Sequence, residues 1–294
     1  MNDPATFRIE IVAPAKLNLG LEVLGRRDDG FHEIATIFAA IDLCDYLTLT
    51  PSDNLDLICD DDALTGDANL AFRALQILRD ETHHRGGARV ALAKRIPAAA
   101  GLGGASSDAA AALLGGRGLW RSGLSDARLH ELAAVLGSDV PFFLRGGCAI
   151  GRGRGECLES LPLPEEIWFV IVVPDVVIPR KTARLYAFLT EEDFSDGSHV
   201  AAQVSSLKAG RPLNLELLGN AFSRPLYALV PGLASLPDVM RDAGAAVVAI
   251  SGAGPAHYAV VNDGARAELI AARVRERLGD RAQVFVARPA PPRL

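Results

Sequence analysis

At 294 residues the chain is too long for one ordinary core and suits two medium-sized domains. Hydrophobic residues are 49% and charged residues 22% of it, a mix that excludes disorder. With 30 basic and 36 acidic residues the formal charge is −6, which argues against a nucleic-acid partner.

Cys44, Cys59, Cys148 and Cys157 lie far apart with no CxxC pair. That spacing suits neither a zinc site nor a disulfide framework and predicts reduced, mostly buried thiols in a cytoplasmic protein. Residues 1–10 hold no apolar run fit for a signal peptide, and aliphatic stretches such as 168–173 are strand-sized, so no membrane partner is expected.

In chain order, residues 7–12 and 17–24 read as strands, the second ending in the turn 25–30. Residues 31–50 suggest further strands, and 68–81 a helix, with Leu70, Ala74, Leu75 and Leu78 at helical spacing. A strand over 89–96 and helices over 107–119 and 126–136 follow. After residue 160 a buried strand over 168–173 precedes helices from Lys181, His199, Leu213 and Leu233. Residues 246–250, a turn at 251–256, strand 257–261, helix 265–278 and strand 283–287 complete the chain. The pattern predicts an α+β fold in two domains, residues 1–160 and 161–294, joined near Leu161-Pro162-Leu163-Pro164.

The most informative segment is Ile96-Pro97-Ala98-Ala99-Ala100-Gly101-Leu102-Gly103-Gly104-Ala105-Ser106-Ser107-Asp108. A strand gives way to small residues and then to a helix that Ser106, Ser107 or Asp108 could cap. Glycines let consecutive N–H groups converge, and the helix N-terminus adds positive potential, which makes a polyphosphate cradle. No Lys-Ser or Lys-Thr follows, as a Walker A loop requires, and the glycine spacing is not the dinucleotide pattern. Read by itself, the segment is better explained as a flexible linker before a capped helix.

Three further segments decide. The loop from Pro97 to Ser107 resembles the ATP loop of the GHMP (galacto-, homoserine, mevalonate and phosphomevalonate) kinases. Pro14-Ala15-Lys16-Leu17-Asn18-Leu19-Gly20-Leu21 resembles their N-terminal motif. Gly137-Ser138-Asp139-Val140-Pro141-Phe142-Phe143 and Ser251-Gly252-Ala253-Gly254-Pro255 resemble the two later ones, in the expected order. The block Gly25-Arg26-Arg27-x-Asp29-Gly30-Phe31-His32, with Ile41-Asp42-Leu43-x-Asp45, is similar to the branch that phosphorylates cytidine diphosphate methylerythritol in non-mevalonate isoprenoid synthesis.

The resemblance implies a ribosomal-S5-like N-terminal domain, a ferredoxin-like C-terminal domain, ATP and Mg²⁺ as cofactors, and transfer to the substrate's 2-hydroxyl. In it Asp139 is the general base, and Lys16 offsets charge on Asp139 and the moving phosphoryl group. Lys16 also lies in an apolar strand, where an unpaired ammonium is costly, so Asp139 is its natural partner. By the same resemblance Pro97, Ala98, Ala99, Ala100, Gly101, Leu102, Gly103, Gly104, Ala105, Ser106 and Ser107 hold ATP, and Asn69 and Lys94 line the adenine pocket. Asn18, Phe31, His32, Thr182 and Tyr186 face the acceptor: Phe31 stacks on cytosine and His32 reads its edge.

Asn69 could instead be a helix cap, and Tyr186 a half-buried helix residue. No metal ligand is assigned, though Ser106 or Ser107 would be possible. Alanine at 98–100 and 105, where the family has more glycine, predicts ordinary dihedrals there. A kinase for another alcohol such as homoserine is the nearest alternative, and a catalytically silent ligand sensor the next. The 26–32 block argues against the first, and retention of both Lys16 and Asp139 against the second. A monomer or weak homodimer is expected.

Overall fold

The computed structural model describes residues 7–162 and 166–293. Two very long strands open the chain, β1 (Ile9–Arg26) and β2 (His32–Ser52). The sequence splits β1 near Pro14, but the strand runs through, with register shifts at Pro14/Ala15, Asn18/Leu21 and Val23/Gly25 absorbing the irregular residues. Such bulges re-aim side chains without ending the pairing.

Next come β3 (Leu55–Cys59), α1 (Leu70–Glu81), β4 (Gly87–Ala93), α2 (Gly104–Leu119), α3 (Asp126–Leu136) and α4 (Val140–Arg145). β5 (Cys148–Arg152) and β6 (Cys157–Leu161) finish the first sheet. In it β1 pairs along β2, while β4 and β5 pair with different halves of the same β2. β3 joins β4 in parallel and β6 joins β5 antiparallel.

β7 (Trp168–Pro174) begins a second sheet, followed by α5 (Lys181–Phe188), α6 (Ser198–Lys208), α7 (Ser223–Leu229), α8 (Leu236–Asp242), β8 (Val248–Ile250), β9 (His257–Val261), α9 (Gly264–Leu278) and β10 (Ala282–Ala287). The helix expected from Leu213 is no more than a 3₁₀ turn over Leu215–Leu217, capped by Asn214. Strand order β10-β7-β9-β8, all antiparallel, with helices in the first and last crossovers, is the ferredoxin-like arrangement. The expected α+β architecture on two sheets is therefore found.

Both faces of β2 are buried, which explains its unbroken apolar run. Phe38 and Ala40 enter a core with α1–α4, while Ile37, Ala39 and Ile41 enter one shared with Phe169 and Tyr258 of the second sheet. Alternation on β1 sends Ala15, Leu17 and Leu19 into the shared core. Lys16 and Asn18 therefore face the other way, toward α2 and α4. Of the expected junction, Leu163 and Pro164 lie outside the described residues. After β10 the chain returns to the first sheet through bridges Ile41–Pro289 and Gly146–Pro292.

Cys59 and Cys148 are buried, Cys44 half-buried and Cys157 exposed, all as free thiols. Among the described residues no helix is long and apolar enough to cross a membrane.

Candidate active site

A cleft of about 1140 Å³ runs between the glycine loop and the start of α5. It is lined by Lys16, Asn18, Phe31, His32, Asn69, Lys94, Asp139, Thr182 and Tyr186, and by the loop at Pro97–Gly101 and Gly103–Ser106. Residues scattered from position 16 to 186 thus meet in one cavity. Leu102 and Ser107 are buried behind it.

The loop enters α2 differently from the sequence expectation. No side chain caps the helix; Gly103 holds the N-cap position in the left-handed region (φ 73°). A Cβ on Gly103 would lie 2.6 Å from the Phe143 ring and 3.0 Å from Lys16 Cγ. Packing therefore demands glycine there, and the serines fall inside the first turn.

Ala99 also departs from expectation: it is left-handed, with φ 53°, whereas Ala98, Ala100 and Ala105 are ordinary. The Lys181 ammonium holds the Ala99 carbonyl at 2.5 Å, and that grip offsets part of the strain of a Cβ in this region. The far side of the loop is fixed by the Ser251–Pro255 turn. Ser251 Oγ donates to Gly101 O (3.0 Å), Ala256 N donates to Ala100 O (3.0 Å), and Asn220 Nδ2 donates to the Ile250 and Gly252 carbonyls.

Lys16 is almost fully buried, and its Nζ lies 3.6 Å from Asp139 Oδ2. The ammonium donates to Asn18 Oδ1 at 2.6 Å and sits 5.6 Å from the Phe38 ring centroid. Asn18 Nδ2 in turn donates to Thr36 Oγ1 (2.8 Å), which donates to Gly20 O (2.7 Å). Burial depresses the Lys16 pKa, and Asp139 opposes that depression without cancelling it. Asp139 stands immediately before α4 with its carboxylate about one-third exposed, spent on no cap. An accessible carboxylate beside a compressed ammonium, under a glycine loop, can orient a hydroxyl and take its proton.

At the other end His32 stacks on Tyr186, with ring centroids 4.6 Å apart and planes at 23°. Its Nε2 is buried without a hydrogen-bond partner. Burial, then the Arg26 charge, lowers the imidazole below its ordinary pKa, so the ring is neutral near pH 7. Phe31 is half exposed, and the Arg154 guanidinium lies 4.8 Å from its ring centroid. An aromatic surface with one unsatisfied ring nitrogen suits a flat polar heterocycle.

Asn69 does cap α1, its Oδ1 accepting from Ala71 N at 2.8 Å, and it lines the cleft as well. Lys94 is held by Asp45 and, at 2.7 Å, by Asp108. Asp45 Oδ1 also accepts from Ile96 N at 2.8 Å. Burial alone would depress Lys94, but Asp108 and Asp45 outweigh it and the net shift is upward. Asp108 is pushed up to about 7, by burial first, with Lys94 opposing and Asp45 adding to the rise. Two carboxylates share one cation, and Asp108 Oδ1 has no partner, which together with burial is the physical cause of the rise at Asp108.

Sequence reasoning missed Asp45 and Asp108 as holders of Lys94, along with Thr36, Asn220 and Lys181. The one usable signal was scarcity: of the four lysines, Lys16, Lys94 and Lys181 line this cleft.

Among the described residues no cluster of three His, Cys, Asp or Glu could hold a metal by itself. Buried Ser107 Oγ and Asp108 Oδ1 are unpartnered at the base of the loop. Mg²⁺ keeps several waters and takes few protein ligands besides phosphate, so a small oxygen set there fits it.

Comparison with known proteins agrees with this geometry. Residues 69–147 match the GHMP kinases N terminal domain, and 204–280 the GHMP kinases C terminal domain. A 4-diphosphocytidyl-2-C-methyl-D-erythritol kinase of Dehalococcoides mccartyi is 39% identical over 89% of this chain and 92% of its own. One from Pelotomaculum thermopropionicum is 38% identical over 97% and 99%. A crystal structure of 4-(cytidine 5'-diphospho)-2C-methyl-D-erythritol kinase superimposes with TM-score 0.79 and 36% identity, covering 95% of this chain and 98% of that one. A homoserine kinase from Cytophaga hutchinsonii, at 22% identity and TM-score 0.74, shares the fold. With such identity sustained along nearly its whole length, the chain belongs to the GHMP kinases, within their 4-diphosphocytidyl-2-C-methyl-D-erythritol kinase branch.

Proposed function

We propose that this protein moves the γ-phosphoryl group of ATP to the 2-hydroxyl of 4-diphosphocytidyl-2-C-methyl-D-erythritol, a step of isoprenoid precursor synthesis. The observation that carries the reading is one continuous cleft with the glycine loop on one side, the His32–Tyr186 stack on the other and the Lys16–Asp139 pair within it.

In this account the loop from Pro97 to Ser107 cradles the triphosphate through backbone N–H groups, with Asn69 and Lys94 beside the adenosine. Phe31, His32 and Tyr186 take the cytosine, and Asn18 and Thr182 contact the acceptor chain. Asp139 orients the hydroxyl and receives its proton as the oxygen attacks phosphorus. The bond from the γ-phosphorus to the bridging oxygen breaks, and ADP leaves with that electron pair. Lys16 lies beside the ionised Asp139, where it holds the base in place before proton transfer and offsets negative charge on the transferring group, in a site where water screens little. Mg²⁺ would be held by Ser106 or Ser107, with Asp108 nearby, and when bound it neutralises phosphate charge.

The domains are taken as 1–160 and 161–294, the location as cytoplasmic, and the state as monomer or weak homodimer. A phosphorylation assay with this acceptor, homoserine and mevalonate in parallel tests the reading. Selective turnover of the cytidine compound is expected; faster turnover of homoserine would refute it.

A further inference from the structure

We propose that Lys181 is a phosphate-binding residue of this cleft, its ammonium receiving a phosphate oxygen at the junction between the nucleotide and acceptor sides. The inference rests on the kinase reading and adds to it a cation that the four shared motifs do not contain.

An ammonium has three donors and no acceptor. Lys181 Nζ places one on Ala99 O at 2.5 Å and another on Gly254 O. Among the described residues the third has no partner, and Lys181 lines the cleft. Among the described residues no carboxylate comes within 4 Å of this nitrogen, whereas Lys16 and Lys208 each have one and Lys94 has two. Burial, and then the charge of Lys16, hold the Lys181 pKa down to about 8. Two ammonium groups thus crowd one region of a cleft with too few counter-ions. An incoming phosphate oxygen relieves both the desolvation and the repulsion, and such charge-assisted hydrogen bonds are among the stronger ones.

Position points the same way. Ala99 belongs to the glycine loop and Gly254 to the turn packed behind it, so the ammonium is tied to both walls of the phosphate cradle. Thr182, the next residue, lines the same cleft. The anion is either the terminal phosphate of the triphosphate or the diphosphate of the acceptor, and paired probes separate these sources.

Wild type, Lys181→Met, Lys181→Gln and Lys181→Arg would be titrated calorimetrically with four probes. These are a non-hydrolysable ATP analogue and ADP, each with Mg²⁺, and CDP and cytidine. Contact with the terminal phosphate weakens the ATP analogue about tenfold or more in the Met and Gln variants and spares ADP. Contact with the acceptor weakens CDP and spares cytidine. In either case Arg restores most of the loss. If all four probes weaken by one common factor, or none changes, Lys181 is only a clasp between loops and the inference is overturned. Should the Met variant fail to fold, the near-isosteric Gln variant decides by the same criterion. A wild type that binds neither nucleotide overturns the kinase reading as well, whereas normal wild-type binding with unaltered variants overturns this inference alone.

Discussion

Lys16 and Lys94 are both lysines buried in the same cleft, yet their surroundings push them in opposite directions. Lys94 is gripped by two buried carboxylates, and its net shift is upward. Lys16 has one carboxylate at 3.6 Å, partly in water, and stays depressed. A lysine saturated with partners is held in place and has little left to offer a transition state. One left under-compensated keeps unspent electrostatic capacity for charge that appears only during reaction. In the proposed mechanism this difference suits Lys94 to architecture and nucleotide positioning, and Lys16 to chemistry.

Exchanging each lysine for methionine breaks the comparison most severely. Lys94→Met strands Asp45 and Asp108 without their cation, and breaking such a buried pair costs roughly 3–5 kcal/mol of stability. Protonation of Asp108 moderates that loss. Lys16→Met leaves Asp139 partly solvated, so its stability stays near or above wild type while turnover falls about a hundredfold or more. Urea midpoints and initial rates on both variants check this. Equal destabilisation of the two would erase the distinction.

At the far end of the cleft the unsatisfied His32 nitrogen predicts base discrimination. The uridine analogue presents the wrong donor–acceptor pattern, worth roughly 1–3 kcal/mol, or about tenfold to a hundredfold in kcat/KM. His32→Ala should narrow that gap, whereas Phe31→Ala should weaken both substrates alike. Equal wild-type efficiencies for the two bases would remove the reading role of His32.

The smallest effect sharpens the Lys94 side. Asp108 has a folded pKa of about 7 against an ordinary 3.8, so between those values the folded protein binds the extra proton. Stability contributed by this group therefore falls as pH rises from about 4 through 7, and the penalty is complete above that. Asp108→Asn removes the slope. Measured by urea unfolding, the variant should gain on wild type from pH 5 to pH 8 by a few kcal/mol at most, at about 1.4 kcal/mol per pKa unit. A constant difference would place the proton elsewhere in the cluster.

How legible all this is in the sequence depends on how local each cause is. The helix over 126–136 follows from apolar spacing and the Ser125 cap, and its bounds are as expected. β3 goes unnoticed because Leu55–Cys59 alternates for only five residues and gains meaning from parallel pairing with β4. Charge economy in an apolar strand predicts that Lys16 has a carboxylate partner, and the family resemblance names Asp139 as that partner. The grip on Lys94 has no such signal, because its partners lie 49 and 14 residues away and carry no spacing rule. The start of α2 misleads for a similar reason. Ser106, Ser107 and Asp108 are good caps by type, but Phe143 and the stem of Lys16 leave room only for glycine at position 103, and that crowding is tertiary.

The claim that Asp139 and Lys16 perform the transfer is tested most directly by Asp139→Asn, which keeps shape and removes the base. Calorimetric affinities for the ATP analogue and the cytidine acceptor would be set beside a single-turnover phosphoryl-transfer rate. Both affinities should stay within a few-fold of wild type while the rate falls by about two to four orders of magnitude, the usual reach of general acid–base catalysis. A near-wild-type rate with intact binding would contradict the claim and move the chemistry away from the Lys16–Asp139 pair.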